Sequence, residues 1–502
     1  MYNVLDYLKE SARKYPDKVA FADIDQSITY EELYRKAQEI GSALASKISI
    51  GQPVPIFMEK SVDTICLFFG VVYAGGFYVL LDMKQPQTRL NHIMKTLDSK
   101  MIVTSQKYIE ALKKKQMESD VILLEDLYGH VNLKKLDSIA SQHTDTMPLY
   151  TIFTSGSTGI PKGVCVAHRS VIDFIETFTK TFHINENDVI GNQAPWDFDV
   201  SVKDIYSTIK TGATMQIIPR QYFSIPTQLL DFLCEREVTT IIWAVSAVCI
   251  ISTLKGFEYK VPHKISKVMF SGEVMPMKQL RIWQSYLPDT MYVNLYGPTE
   301  ITCNCAYHII SQMDQDDVIP IGKAFQNEKV FLLDEHNQEV IIPDVLGEIC
   351  VSGTAVSLGY YNNPQQTHQA FCQNPLNPYY REIIYRTGDL GYYNKQGELC
   401  FASRKDFQIK HMGHRIELGE IEKAMQHVET IQRACCLYEN HKIIAFYDGD
   451  IERRELTRVL KKELPAFMIP NVFYKVHGFP LTKNGKIDRQ KLKSMMKEDC
   501  NV

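Results

Sequence analysis

The chain has 502 residues, 45% of them hydrophobic and 23% charged, which is typical of a globular protein too long for a single hydrophobic core. The formal net charge of −4 gives no indication of nucleic acid binding. The 12 cysteines include no Cys-x-x-Cys pair, and Met1–Pro16 has charges but no apolar segment. We therefore expect no zinc site, no disulfide framework, no signal peptide and a cytoplasmic location.

Helical and strand patterns alternate along the N-terminal part of the chain. Asn3–Tyr15 has apolar residues at helical spacing. Thr29 and Glu32 have the spacing of a capping box, which predicts a helix that runs to about Ser46. The other predicted elements are strands Ala20–Phe21, Ser27–Tyr30, Val54–Met58, Phe77–Leu81 and Met101–Thr104, and helices Ser61–Tyr73 and Arg89–Leu97. Strands that alternate with helices predict parallel α/β layers.

The run Thr64–Leu81 is uncharged and has nearly the length of a membrane span. Gly75 and Gly76 interrupt it in the middle. We therefore predict a buried helix followed by a buried strand, and no membrane span.

A predicted buried strand, Leu149–Phe153, leads into a loop of small residues, Thr154–Gly159. Glycines in such a loop can take positive φ, and small side chains let the backbone approach a ligand closely. Successive backbone N–H groups and hydroxyls suit a phosphate, and Lys162 adds positive charge nearby. The loop is not a Walker A motif, because Lys162 is followed by Gly163 rather than Ser or Thr. The alternative is an ordinary surface loop.

The remaining elements are predicted more coarsely. Residues 105–146 are polar, and we predict irregular structure with one strand, Val121–Leu124. Gly413–Glu422 is predicted as a loop that runs into a helix. The other predicted elements are helices Ser170–Phe182 and Pro226–Arg236, and strands Val189–Gln193, Gly212–Ile218, Thr239–Trp243, Val268–Ser271, Val330–Asp334 and Gly347–Gly353.

Six motifs in order resemble those of the adenylate-forming enzymes: acyl- and aryl-CoA synthetases, luciferases and the amino-acid adenylation domains of nonribosomal peptide synthesis. These motifs are Ala74–Asp82, Thr154–Gly163, Asn294–Glu300, Tyr385–Gly391, Ser403–Lys410 and Pro480–Arg489. Two positions depart from the family pattern, which usually has proline at Leu80 or Leu81 and glycine at Ser403. The resemblance implies an α/β fold with a large N-terminal domain, residues 1–403, that includes a small barrel-like subdomain. A small mobile α+β C-terminal domain, residues 404–502, follows.

The same resemblance implies ATP and Mg²⁺ as cofactors. Tyr296 would stack on adenine, Asn294 would meet its edge, and Asp389 would bond the ribose hydroxyls. Thr299 would contact the α-phosphate, and Glu300 would hold Mg²⁺. The full set of implied ATP-binding residues is Thr154, Ser155, Gly156, Ser157, Thr158, Lys162, Asn294, Tyr296, Gly297, Thr299, Asp389 and Arg404.

Two further roles follow from the motifs near the C-terminus. Lys486 would be the catalytic lysine, because a cation between the substrate carboxylate and the α-phosphate stabilises the charge that develops during attack. Asp406 would be the hinge about which the C-terminal domain turns.

The segment around Phe198 and Asp199 resembles the substrate pocket of amino-acid adenylation enzymes, in which the aspartate binds the α-ammonium group. The alternative is a helix N-terminal aspartate favoured by the helix dipole. Lys203 either faces the pocket and pairs with an acidic substrate side chain, or points away towards Asp204 or solvent. The implied pocket residues are Asp199, Val200, Lys203, Ile242, Met269, Ser271, Leu295, Cys303 and Asn304.

Charge distribution suggests a partner. Residues 404–502 contain 19 Lys and Arg but 14 Asp and Glu, whereas the rest of the chain contains 36 and 45. A basic C-terminal domain suits an acidic partner such as a carrier protein. The resemblance implies that a carboxylate attacks ATP to give an acyl-adenylate, and that the phosphopantetheine thiol of a separate carrier protein then takes the acyl group. We expect a monomer.

Within the family, the chain most resembles the D-alanine–D-alanyl carrier protein ligases. Ser271 replaces the cysteine of that subgroup, and Lys203 is unusual beside a methyl group. The alternatives are a stand-alone adenylation enzyme of the nonribosomal peptide type for another, possibly acidic, amino acid, or an acyl- or aryl-acid CoA ligase. A luciferase-like oxidase and a non-catalytic nucleotide-binding protein are two further alternatives.

Overall fold

The computed structural model describes residues 2–156, 160–311, 318–405, 407–481 and 487–499. Its first part alternates helices and strands as predicted. In order, the elements are α1 (Leu5–Lys14), β1 (Val19–Ala22), β2 (Ser27–Thr29), α2 (Tyr30–Leu44), β3 (Pro53–Ile56), α3 (Val62–Tyr73), β4 (Phe77–Leu80), α4 (Gln87–Leu97), β5 (Met101–Thr104), α5 (Ile109–Lys114), β6 (Asp120–Leu123) and α6 (Leu133–Ala140). Thr29 and Glu32 form the predicted capping box of α2.

The prediction of irregular structure over residues 105–146 was wrong, because α5 and α6 lie there. Asn132 caps α6, since its side chain accepts a hydrogen bond from the Lys135 backbone N–H. Helices of 6 and 8 residues are too short to give a clear helical period in the sequence.

The central part continues the alternation. Its elements are β7 (Pro148–Thr154), β8 (Lys162–Ala167), α7 (His168–Thr181), β9 (Val189–Asn192), α8 (Val200–Thr211), β10 (Thr214–Ile217), α9 (Pro226–Glu235), β11 (Thr240–Ala244), α10 (Val245–Thr253), β12 (Lys267–Ser271), α11 (Met277–Tyr286), β13 (Met291–Tyr296) and β14 (Ala306–Ile309). Strand β8 was not predicted. It pairs antiparallel with β7, with Thr154 opposite Lys162, and the two strands flank the small-residue loop.

The last part is richer in antiparallel strands. Its elements are β15 (Lys323–Ala324), β16 (Glu328–Leu333), β17 (Gly347–Gly353), β18 (Gly359–Tyr360), α12 (Pro364–Ala370), β19 (Phe371–Gln373), β20 (Ile383–Tyr393), β21 (Leu399–Arg404), β22 (Gln408–His411), β23 (His414–Glu417), α13 (Leu418–Gln426), β24 (Ile431–Glu439), β25 (Lys442–Gly449), α14 (Arg453–Glu463), β26 (Val472–Lys475) and α15 (Arg489–Asp499). The prediction of a loop from Gly413 was wrong for residues 414–417, which pair with β22 as a hairpin.

Two large, mainly parallel sheets dominate the described part of the chain. One has the strand order β15-β14-β13-β12-β11-β9-β10-β1-β2, and the other has the order β18-β8-β7-β4-β3-β5-β6. A third, antiparallel sheet joins β16, β17, β20, β19 and β21 at the position predicted for the barrel-like subdomain. These layers confirm the predicted α/β fold. The carboxyl ends of β11, β12 and β13 lie side by side, which is where parallel α/β sheets bind ligands.

Helices α2 and α3 pack closely over the sheets, and each contributes a glycine to the contact. A Cβ atom on Gly70 would lie 2.3 Å from Ile40 Cγ2, and one on Gly41 would lie 2.4 Å from Tyr73 Cβ. Only glycine fits at this spacing. The uncharged run Thr64–Leu81 forms most of α3 and all of β4, as predicted. Within the described ranges, no helix combines the length and apolar character needed to cross a bilayer.

Candidate functional site

Two adjoining cavities lie at the carboxyl ends of the strands, one beyond β12 and β13 and the other beyond β7, β9 and β10. The inner cavity is lined by residues that include Asp199, Ser271, Cys303, Asp389 and Arg404. The outer cavity extends from Asp199 towards α4 and the C-terminal region. Both cavities share the residues Phe198, Asp199, Thr299 and Arg415. A ligand at Asp199 is therefore reachable from both sides.

Asp199 precedes α8 but makes no capping hydrogen bond to it. Its carboxylate is hydrogen-bonded to Thr299 and borders both cavities. Burial raises the pKa of Asp199, and the Thr299 hydrogen bond and the Lys203 charge only partly offset this effect. A desolvated carboxylate gains stability from a cationic partner, so the position suits a ligand ammonium group better than a helix cap.

Lys203 is fully buried, and its ammonium group donates a hydrogen bond of 2.6 Å to Asn304 Oδ1. The alternative that it points to solvent is therefore wrong. Its positive charge acts on both Asp199 and Asp204 and lowers the pKa of each carboxyl against the opposing effect of burial. Asn304 lines the inner cavity, whereas Lys203 does not. Of this hydrogen-bonded pair, only the Asn304 amide therefore borders the cavity.

The other predicted pocket residues divide into two groups. Val200, Ser271 and Cys303 line the inner cavity. Three apolar residues are instead buried in neighbouring strands and do not line it: Ile242, Met269 and Leu295. Ile242 is opposite Met269, and Leu295 is opposite Ser271, so these side chains belong to the sheet that supports the cavity.

The residues predicted to bind the nucleoside form a connected group. Tyr296 is buried, and its hydroxyl donates a 2.5 Å hydrogen bond to Asp389 Oδ2. Arg404 forms an ion pair with the other oxygen of Asp389. Burial raises the pKa of Tyr296, with the Asp389 charge adding to the effect, so the phenol stays a donor. Asn294 donates a 2.8 Å hydrogen bond to the Pro320 carbonyl.

Glu300, the predicted Mg²⁺ ligand, is fully buried and has partners on both oxygens. Tyr360 donates a 2.8 Å hydrogen bond to Oε1, and Arg415 forms a 2.7 Å ion pair with Oε2. Burial alone would raise the pKa of Glu300, but the charges of Arg415 and Lys162 lower it to about 2. The group is thus a permanent carboxylate, which is the kind of ligand that Mg²⁺ prefers. Because Tyr360 and Arg415 each contact one oxygen, a Mg²⁺ ion would share the Glu300 carboxylate with them or displace one of them.

The small-residue loop begins at the border of the outer cavity. The Thr154 hydroxyl is buried without a hydrogen-bond partner, which suits a ligand oxygen. Ser155 donates a 2.8 Å hydrogen bond to the Arg415 carbonyl. A Cβ atom on Gly156 would lie 2.1 Å from the Ile160 carbonyl, so the turn requires glycine.

The Lys162 ammonium lies 5.0 Å from the centre of the Tyr360 ring. Gly297 is similarly confined, since its Cβ would lie 2.5 Å from the Cys303 carbonyl.

Four predicted site residues lie outside the described residues: Ser157, Thr158, Asp406 and Lys486. Their roles stay predictions. Within the described ranges, no cluster of three or more His, Cys, Asp or Glu residues could hold a metal ion. A Mg²⁺ ion would thus be held by Glu300 together with phosphate oxygens of ATP, as is common for this ion.

The sequence analysis assigned no role to the β22–β23 hairpin, yet it brings Lys410, Gly413 and Arg415 to the inner cavity. The Lys410 ammonium lies 5.9 Å from the centre of the Tyr296 ring. The turn uses Met412 and Gly413, both with positive φ. Asn-Gly or Asp-Gly is the usual sequence of such a turn, and Met412-Gly413 lacks that pattern, so the hairpin was not predicted.

Comparison with known proteins agrees with this geometry. The chain is 32% identical over 500 residues to zwittermicin A synthase ZmaJ of Bacillus cereus, covering 96% of this chain and 93% of ZmaJ. Several other curated relatives are much longer, and the chain spans 9–44% of their length.

Two solved structures share the fold. The Vibrio cholerae adenylation domain AlmE, in complex with glycyl-adenosine-5'-phosphate, has a TM-score of 0.86 at 20% identity, covering 99% of this chain and 98% of AlmE. PA1221, an NRPS protein containing adenylation and PCP domains, has a TM-score of 0.83 at 25% identity, covering 99% and 98%. A family model described as AMP-binding enzyme matches residues 8–361. The predicted family is confirmed: the chain belongs to the AMP-binding enzyme family.

Proposed function

We propose that this protein activates an amino acid with ATP to give the aminoacyl-adenylate, and then transfers the aminoacyl group to the phosphopantetheine thiol of a separate carrier protein. The observation that carries the proposal is the Asp199 carboxylate, desolvated and facing both cavities without capping its helix. An amino acid supplies the cation that this carboxylate needs, whereas an aryl or fatty acid does not. The comparison with PA1221, an NRPS protein that contains a PCP domain, supports a carrier as acceptor.

In the first step, the substrate carboxylate attacks the α-phosphorus of ATP, and pyrophosphate leaves. Asp199 holds the ammonium group, Thr299 contacts the α-phosphate, and Tyr296 and Asp389 hold the nucleoside. Lys486 neutralises charge between the carboxylate and the phosphate. Glu300 would hold Mg²⁺, which would supply positive charge to neutralise the phosphates.

The position of residues 404–502 in the structure suits transfer to the thiol better than adenylation. Arg415 occupies the Glu300 carboxylate that Mg²⁺ needs, and Ser155 binds the Arg415 backbone. The interface with the C-terminal region also contains a buried 2.6 Å ion pair between Arg89 and Glu420. We infer that residues 404–502 rotate about Asp406 between the two steps, so that Lys486 acts in one and the β22–β23 hairpin in the other.

This two-step model predicts that Glu420→Gln slows thiol transfer at least about tenfold and leaves adenylation within about threefold of wild type. The substitution leaves the Arg89 guanidinium buried without a counter-charge, and breaking a buried ion pair typically costs about 3–5 kcal/mol. In this model, that free-energy cost applies only to the arrangement in which Arg89 and Glu420 are in contact. Amino-acid-dependent ATP–pyrophosphate exchange measures the first step, and single-turnover transfer from the adenylate to pantetheine measures the second.

The control for Glu420→Gln is Glu422→Gln. Glu422 forms a 2.8 Å ion pair with Arg489 that is somewhat more exposed and lies inside the C-terminal region rather than across the interface. The model would be contradicted if Glu420→Gln slowed adenylation and thiol transfer equally. It would also be contradicted if Glu420→Gln and Glu422→Gln slowed thiol transfer equally.

Two observations bear on which amino acid is activated. D-Alanine is the substrate that the sequence resemblance implies, and the small Ser271 side chain on the inner cavity leaves room for it. The buried pair of Lys203 and Asn304 favours a substrate with a carboxylate side chain instead, because a buried ammonium group gains from a full counter-charge. D-Alanine and an acidic amino acid are therefore the two candidate substrates.

Lys203→Met distinguishes the two candidates. If the pair binds an acidic side chain, the variant should shift the ratio of exchange rates towards small neutral amino acids by at least about tenfold, because the buried positive charge behind Asn304 that attracts the substrate carboxylate is lost. Lys210→Met is the matched control, since Lys210 lies on the same helix and pairs with Glu176. An unchanged substrate ratio would contradict the acidic assignment and favour D-alanine.

The proposal is tested by measuring ATP–pyrophosphate exchange with amino acids of both enantiomers, followed by loading of a phosphopantetheinylated carrier. Exchange that depends on an amino acid, with a thioester formed on the carrier, supports it. Exchange with aryl or fatty acids alone, and acyl-CoA as product, would favour a CoA ligase instead.

A further inference from the structure

A carboxyl group that the adenylation step does not use lies two residues before Asp199. Asp197 lines the outer cavity together with Arg89, Arg220 and His414. That cavity adjoins the inner one at Asp199 and Thr299, where the proposed function places the aminoacyl carbonyl. Asp197 therefore lies on the wall of a cavity that leads directly to the reacting carbon.

The incoming thiol must lose its proton, because the thiolate is the nucleophile. Four titratable groups of the outer cavity could receive the proton: Asp82, Asp197, Asp199 and His414. Asp199 is committed to the substrate ammonium. Asp82 already accepts a 2.9 Å hydrogen bond from the Lys84 backbone N–H.

His414 is a poor proton acceptor for a different reason. Its ring stacks on Phe467 with the centroids 3.7 Å apart and meets the Phe198 ring at 4.8 Å. Burial, together with the positive charges of Arg220 and Arg89, lowers the pKa of His414 to about 3. The imidazole therefore stays neutral and weakly basic.

Asp197 has the opposite environment. Burial and the neighbouring Asp82 carboxylate raise the pKa of Asp197 to about 7, although Arg220 and Arg89 act against the rise. Proton transfer from a thiol of ordinary pKa to an ordinary aspartate is unfavourable by roughly 40,000-fold. A raised pKa makes the Asp197 carboxylate a stronger proton acceptor than an ordinary aspartate.

We propose that Asp197 is the general base that accepts the proton of the attacking thiol in the transfer step. The inference rests on the proposed function. The S–H proton moves to the Asp197 carboxylate, and the sulfur forms a bond to the carbonyl carbon of the aminoacyl-adenylate. The bond from that carbon to the phosphate oxygen breaks, and AMP leaves with the electron pair. The proton then returns to solvent through the outer cavity.

The charged groups that face Asp197 set the pH dependence. These are Asp82 from the loop after β4, Arg89 from α4, Asp199 before α8, Arg220 from the loop after β10 and Arg415 from β23. His414 from β23 lines the same cavity as a neutral group. Because the pKa of Asp197 is raised, the carboxyl is protonated below about pH 7 and can accept a proton only above it. The transfer rate should therefore rise with pH through about 7.

The test is Asp197→Asn, which keeps the shape of the side chain but cannot accept the proton. Single-turnover transfer from the preformed adenylate to pantetheine should fall at least about 30-fold at pH 7, with ATP–pyrophosphate exchange changed less than about threefold. A fluorinated alkanethiol of lower pKa should restore most of the lost rate, because it needs less help from a base. A defect of structure alone would not respond to the thiol pKa.

Transfer by Asp197→Asn within about threefold of wild type from pH 6 to 9 would overturn the proposal. The proposal would also be overturned if His414→Ala, with Asp197 intact, abolished the pH dependence of the transfer rate. Failure of the proposed function gives a different result, since wild-type protein would then show no amino-acid-dependent exchange.

Discussion

Asp199→Ala should reduce amino-acid-dependent ATP–pyrophosphate exchange, measured as kcat/KM for the amino acid, by about 10²–10³-fold. The variant leaves the substrate ammonium in a partly dry site without its counter-charge, and such losses typically cost about 3–5 kcal/mol. The affinity for ATP should change much less, because the nucleoside contacts assigned to Tyr296 and Asp389 do not involve Asp199.

Asp199→Ala should lower the exchange activity without lowering the thermal stability of the protein. Burial raises the pKa of Asp199, so the ionised carboxylate is less stable in the folded than in the unfolded chain at neutral pH. Removal of the carboxylate should therefore leave Tm unchanged or raise it. Asp63→Ala, in the first turn of α3, is the control. Exchange by Asp199→Ala within about threefold of wild type would show that the substrate has no ammonium group and would favour an acyl- or aryl-acid ligase.

The second large effect is expected for Lys486→Ala. Adenylation should fall by about 10²–10³-fold, because one preorganised charge is lost at the point where negative charge develops in the transition state. ATP binding should stay within a few-fold of wild type. Transfer from a chemically supplied aminoacyl-adenylate to pantetheine should be nearly unchanged, since Lys486 acts only in the first step.

Lys483→Ala is the matched control for Lys486→Ala, because it removes the same charge three residues earlier in the same motif. Adenylation by Lys486→Ala within a few-fold of wild type, or equal defects in the two variants, would contradict the catalytic role. A parallel loss of the transfer step would contradict the separation of the two steps.

Much of the fold follows from local sequence rules. The alternation of strands and helices, the capping box at Thr29 and the interrupted uncharged run Thr64–Leu81 each predicted the correct element. The structure also brings residues from different motifs together. Tyr296 and Asp389, far apart in sequence, are joined by a hydrogen bond, and Asp199 lies beside Thr299.

Other features depend on contacts that no local pattern records. The hairpin that carries Arg415 turns at Met412-Gly413, which lacks the usual turn residues. The partner of Lys203 is Asn304, 101 residues away, so neither its burial nor its hydrogen bond can be read from α8 alone. The role inferred for Asp197 depends on Asp82 and Arg220, which approach it only in the folded chain.

The central claim is tested most directly by amino-acid-dependent ATP–pyrophosphate exchange on the purified protein. The panel should contain both enantiomers of alanine, serine, aspartate and glutamate, together with a few aryl and fatty acids. The account predicts exchange with at least one amino acid and none with the acids that lack an ammonium group. Exchange with aryl or fatty acids but with no amino acid would contradict the role of Asp199 and with it the proposed function.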